Sequence, residues 1–210
     1  YETVANAAVK AGLDVLILTD HNIRPEGLDG YRTKDRKKVL LLVGEEVHNP
    51  TRWPQKNHTL IIGAKQEVAQ YGYDPQLLID EVHKLGGLTF LAHPFEYALP
   101  LINEPNISWV SWDVDGFTGI ELWNGLSELK TVVHNLSEGL YYLFMPELMA
   151  HAPLDEMLAK WDELLNQGKH IVAVGGSDAH AIHFKKGFFK KTVFPYEFHF
   201  SAINNHLLIS

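Results

Sequence analysis

LILTDHN, Leu16 to Asn22, runs four apolar or β-branched residues straight into an acid and a histidine. A buried strand that delivers Asp20 and His21 to one edge of the core places two polar side chains where they are costly unless something there partners them. The plan recurs. LLVGEE (Leu41 to Glu46), TFLAHP (Thr89 to Pro94) and IVAVGGSDAH (Ile171 to His180) each set carboxylates or imidazoles at the end of an apolar run. Outward from these, VLLLVGEE, HTLIIGA, LTFLAHP, GIELWN and IVAVGGSD are short continuous apolar runs, the pattern of parallel strands covered on both faces. Val4, Ala7, Ala8 and Ala11 recur at helical spacing before Gly12, a C-terminal glycine cap. Further helices are predicted at Pro75 to Leu85, around Ser127 to Leu140, and at Leu154 to Asn166. Strands alternating with helices predict βα units, in which functional groups gather beyond the strand ends. Only His58 breaks the rule, because it opens its strand instead of closing it.

The chain has 210 residues, 46% of them hydrophobic, enough for a sizeable core. No linker, internal repeat or low-complexity run divides it, so residues 1–210 read as a single domain. A net charge of -8 excludes a general binder of phosphate backbones, which relies on Lys and Arg. The two basic clusters, DRKK (Asp35 to Lys38) and FKKGFFKK (Phe184 to Lys191), read as solvated loops, the second close enough to His180 to meet an anionic substrate. No stretch reaches the ~18 apolar residues of a membrane span, and no basic-then-apolar signal segment opens the chain. With no cysteine, any metal is held by oxygen and imidazole nitrogen, which suits zinc, manganese or iron. The compartment stays open, the cytoplasm being favoured over export.

Among twelve histidines a single one says little, but the set at the strand ends is specific. Asp178 and His180 form a D-x-H whose two side chains lie on one side of an extended backbone and can reach one ion. Pro94 biases His93 toward extended geometry. Of Glu45 and Glu46, one reads as a ligand and the other as a solvated neighbour. No phosphate-binding loop, dinucleotide fingerprint or nucleophile elbow is present, which sets aside nucleotide-loop enzymes and a serine hydrolase built on Ser177.

GLDVLILTDHN, GEE, NHTLIIG, LAHP, IELWN and GGSDAH, in this order, resemble the PHP (polymerase and histidinol phosphatase) superfamily of metal-dependent phosphoesterases. The region with GFTGIELWNG is similar to the stand-alone bacterial members grouped with carbaryl hydrolases. The resemblance implies a distorted (β/α)7 TIM-like barrel, here without its first strand, and two or three divalent ions. It implies His21, Glu46, His58, His93, Asp178 and His180 as metal ligands, with Glu46 bridging because the family pattern is G-x-E. Asp20 orients His21, so that Asp20, His21, Glu46 and Asp178 form the catalytic set. Arg24, Asn124, His183 and Lys185 are the candidates for contact with a small phosphorylated substrate. The implied reaction is hydrolysis of a phosphomonoester or phosphodiester by a metal-bound hydroxide. The family's first strand carries an H-x-H that this chain does not contain, so the resemblance also implies further segments before Tyr1 and after Ser210, and activity belonging to the longer protein. Two alternatives remain: an accessory PHP-like module of a larger protein, and an amide or ester hydrolase of the metal-dependent barrel type. The latter commonly needs a lysine at a strand end, which no run here supplies.

Overall fold

The computed structural model describes residues 1–149, 151–186 and 189–209; the side chains of residues 147, 182–186, 189–191 and 193 lie outside that description. Helix α1 (Glu2–Ala11) ends at Gly12, whose left-handed backbone (φ 83°) lets its N–H reach the Ala8 and Val9 carbonyls. Strands β1 (Val15–Leu18), β2 (Gly30–Lys34) and β3 (Lys37–Val43) form a three-stranded sheet in the order β1-β3-β2. β1 runs parallel to β3, and β2 antiparallel to it. Asp35 (φ 49°) and Arg36 (φ 65°) make the two-residue turn between β2 and β3, so DRKK is a hairpin corner. Ala5, Ala8 and Val9 of α1 pack on Leu16, Leu18, Val39 and Leu41 of this sheet.

At Gly44 the chain leaves β3 and enters β4 (Glu45–Val47), the first strand of a second sheet. A β-carbon at Gly44 would stand 2.3 Å from the Ile61 carbonyl oxygen, so only glycine fits this corner. The second sheet continues through β5 (Thr59–Ile62), β6 (Leu88–Leu91), β7 (Gly119–Asn124) and β8 (Val172–Gly176), in that order. Helix α2 (Pro75–Lys84) is capped by the Asp74 carboxylate and packs Leu78 and Val82 against Val47 and Ile61. Helices α3 (Gly125–Val132) and α4 (Leu136–Phe144) occupy the place of the single helix predicted over residues 127–140. The break lies where Asn135 turns extended and caps the Glu138 N–H. Helix α5 (Asp155–Asn166) lays Met157 and Leu164 over Ile120 and Leu91. Strands β9 (Ile182–Lys186) and β10 (Phe189–Val193) pair antiparallel, so residues 184–186 and 189–191, expected in a loop, lie in strands. Helix α6 (Tyr196–Ala202) then returns to α1, with Phe200 in the first core.

This arrangement overturns the expected (β/α)7 barrel. In the second sheet β4–β5 and β5–β6 are antiparallel and only β6–β7 and β7–β8 are parallel, and among the described residues no closed barrel forms. A run of apolar residues reports burial on both faces, and burial carries no information about strand direction. His58 carried that information. β5 runs opposite to its neighbours, so its first residues lie at the rim where β4, β6, β7 and β8 finish. The two sheets meet there through a parallel bridge between His21 and Glu46, with Glu46 N–H donating to Asp20 O (3.1 Å) and Asn22 N–H to Glu46 O (2.9 Å).

Candidate metal centre

Three imidazoles face one carboxylate oxygen at this rim. Glu46 Oε1 is 2.7 Å from His58 Nδ1, 3.1 Å from His93 Nε2 and 3.9 Å from His21 Nδ1. Glu46, His58 and His93 are buried, whereas His21 is 43% exposed at its side chain and so forms the mouth. On the other side of that mouth the His180 ring lies 6.0 Å from the His21 ring. His180 Nδ1 is 3.1 Å from Asp178 Oδ1 and 3.0 Å from the Asp178 carbonyl oxygen.

The backbone beside these side chains is unusual. His93 (φ 30°) and Asp178 (φ 45°) take up the left-handed region, as do Asn22 (φ 54°) and Asn57 (φ 60°), which adjoin His21 and His58. For His93 this costs about 1–3 kcal/mol, whereas Asn and Asp reach the region more readily. The extended geometry expected of His93 before Pro94 is therefore not found. Its N–H instead donates to buried Glu121 Oε2 at 2.7 Å. Gly176 makes room for that carboxylate, since a β-carbon there would lie 1.7 Å from Glu121 Oε1.

Charge follows the geometry. Burial pushes the Glu46 carboxyl up, but hydrogen bonds from His58 and His93, with the positive charge of His93 and His21, outweigh it and hold the group well below the usual range. Burial pushes His93 down, yet Glu96 and Glu46 hold it well above an ordinary imidazole. His180 is raised to about 9 by its hydrogen bond to Asp178. Burial raises Glu121 to about 7. Burial, together with the neighbouring His58, lowers His48 to about 4.

Among the described residues, two groups of side chains can hold a metal ion: His21, Glu46 and His58, and His93, Glu96 and Asp178, each with ligand atoms within 4.8 Å of one another. His93 stands between them, Nε2 toward Glu46 and Nδ1 3.1 Å from Glu96 Oε2. The buried nitrogen His58 Nε2 lacks a hydrogen-bond partner, as do His48 Nδ1 and His199 Nε2, so a lone ring nitrogen does not by itself mark an ion. Imidazole and carboxylate are the donor types of zinc, manganese and iron sites. The two groups differ in suitability. Glu96 is already paired with Lys130 and accepts from Ser127 Oγ at 2.8 Å, so an ammonium opposes a cation there. The Glu46 group contains no such lysine.

The remaining residues singled out in the sequence are placed differently. Asp20 turns its carboxylate to the Tyr1 hydroxyl (3.1 Å). Glu45, expected to be solvated, is 1% exposed on the opposite side of β4 and accepts the Val68 N–H at 3.0 Å. Arg24 spends its guanidinium on the Ala64 carbonyl (3.0 Å) and Asp29 (3.3 Å). Asn124 caps α3 through Oδ1, and its amide nitrogen lies 2.9 Å from Glu121 and 3.3 Å from Asp178, which uses its full hydrogen-bonding capacity. His183 and Lys185 lie on β9, with side chains outside the described residues. A cleft of about 400 Å³ lined by Trp123, Gly175, Ile203 and Asn204 shares no residue with the cluster.

Sequence reasoning missed Glu96, Glu121 and His48. The signal for His48 was available: it lies two residues after Glu46, and alternate residues of an extended chain share a face. No family model, curated protein or solved structure matches this chain.

Proposed function

We propose that this chain is a metal-dependent phosphoesterase similar to the PHP superfamily, acting on a small phosphorylated substrate as a monoester or diester. The observation that carries this reading is the meeting of His58, His93 and His21 on one oxygen of Glu46, with Asp178 and His180 at the same rim. That set supports His21, Glu46, His58, His93, Asp178 and His180 as ligands to two or three ions of zinc, manganese or iron. Such ions, when bound, supply Lewis-acid polarisation of a phosphoryl oxygen and a water acidified from about 15.7 toward ~7.

The chain's own part is positioning. Glu46 presents negative charge to several donors at once, and Glu121 fixes the backbone of His93 behind it. His21 and His180, both half-exposed, leave the rim open to a ligand from solvent. On a chain of net charge -8, an anionic substrate needs local positive charge, which cations at this rim provide. Arg24 is committed elsewhere, so His183 and Lys185, which follow His180 closely, are the better candidates for holding the phosphoryl group.

The test is turnover of a panel of phosphomonoesters and phosphodiesters by metal-stripped chain reloaded with manganese or zinc. Hydrolysis that chelator and Glu46→Gln both abolish is expected. Loaded protein that turns over neither class contradicts the proposal.

A further inference from the structure

Asn22 and His48 meet at the edge of the cluster in a way that fixes a proton. Asn22 Oδ1 accepts the backbone N–H of His48 at 3.0 Å, and Asn22 Nδ2 lies 3.1 Å from His48 Nε2. A backbone N–H can only donate, so the atom facing it is the amide oxygen and the other is the NH2 group. That NH2 also only donates, so His48 Nε2 is the bare nitrogen and the ring proton sits on Nδ1. His48 therefore offers no lone pair to an ion, one nitrogen being spent on Asn22 and the other protonated.

The ring does something else. It lies flat on His58, with centroids 4.4 Å apart and planes 13° from parallel, while His58 Nδ1 points to Glu46 Oε1 at 2.7 Å. His21 meets both rings edge-on, at 5.5 Å and 5.6 Å. The terminal torsion of a histidine is broad, so the plane of the His58 ring is set by what packs on its face, while the contact to Glu46 selects the Nδ1 edge. We propose that His48, locked by Asn22 with its proton on Nδ1, is a positioning residue: the plate that fixes the plane of the His58 ring, in which Nδ1 reaches Glu46. The proposal rests on reading the Glu46 group as a metal centre, and outer partners that orient a ligand are worth ~10- to ~100-fold in metal affinity.

Long-range ¹H–¹⁵N correlation spectra of the full chain in chelator report both ring nitrogens of each histidine, and zinc titrations report affinity. In the wild type, His48 should show a protonated Nδ1 and a bare Nε2. Asn22→Asp, whose carboxylate can only accept, should move that proton to Nε2. His48→Ala should weaken zinc ~10- to ~100-fold and alter the His58 ring signals. His48→Phe, which keeps the plate without its nitrogens, should recover most of both. A proton on His48 Nε2 in the wild type, or wild-type zinc affinity in His48→Ala, overturns the proposal. Should the wild type bind no zinc, the metal-centre reading fails by itself, and the His58 signals still decide: unchanged in His48→Ala, they overturn the positioning role. Should His48→Ala fail to fold, unmoved proton placement in Asn22→Asp overturns it.

Discussion

Replacing Glu46 with glutamine keeps the side chain's size and removes its charge. Oε1 then loses its charge-assisted contacts to His58 Nδ1 (2.7 Å) and His93 Nε2 (3.1 Å), both inside the protein. Breaking one side of a buried ion pair costs about 3–5 kcal/mol. His93 keeps its pairing with Glu96, so a loss at the lower end, about 3 kcal/mol in chelator at neutral pH, is expected. The variant also lacks the anionic oxygen offered to an ion, so zinc affinity should fall as well, read separately from the stability change. Glu45→Gln is the control. Glu45 is equally buried, but its contact is to the Val68 N–H, which a glutamine carbonyl accepts as well, so about 1 kcal/mol is expected and no loss of metal affinity. Urea unfolding in chelator, followed by zinc titration of each folded variant, separates the two. Equal destabilisation with unchanged zinc affinity in Glu46→Gln would refute the assignment of Glu46 as the hub.

Metal-free stability should fall as pH rises from about 6.5 to about 9. His93 and His180 are raised in the folded protein, His180 to about 9, so across that window the folded state holds protons the unfolded chain has released. His180 is half-exposed and contributes the smaller part. Saturating manganese should reverse the slope, because an ion displaces those protons and binds more tightly as pH rises; urea midpoints that climb with pH in chelator would contradict this. Gly44→Ala should lower stability by about 1–3 kcal/mol in thermal unfolding, because its β-carbon meets the Ile61 carbonyl at 2.3 Å, and a neutral result would deny the corner its role. Asn124→Ala should lose about 1 kcal/mol through the missing α3 cap, read as a fall in the urea midpoint.

The apolar runs marked most of the strands because a short run buried on both faces has few other readings. Direction was the missing quantity. Apolarity is the same for a parallel and an antiparallel central strand, so β5 was read as another parallel strand and the sheets as a barrel. The polar residues at the ends did encode direction, through His58 preceding its run. β2, β9 and β10 were hidden differently: GYRTK carries no apolar run, the lysine-rich cluster read as a solvated loop, and only pairing makes them strands. At the site, residues following apolar runs were legible because polar groups at buried strand ends need partners. Glu96 and Glu121 were not, since each takes its meaning from chain distant in sequence: Lys130 and Ser127 for the first, the His93 N–H for the second. Arg24 and Asn124 looked free in sequence and are consumed by a carbonyl and a helix cap in the fold.

The most direct measurement is an anomalous difference map from crystals of the full chain grown with zinc and recorded at the zinc absorption edge. A peak is expected within about 2.0–2.2 Å of a Glu46 carboxylate oxygen and of a ring nitrogen of His58. A map with no peak at that rim, or with zinc bound only through surface histidines away from Glu46, would contradict it.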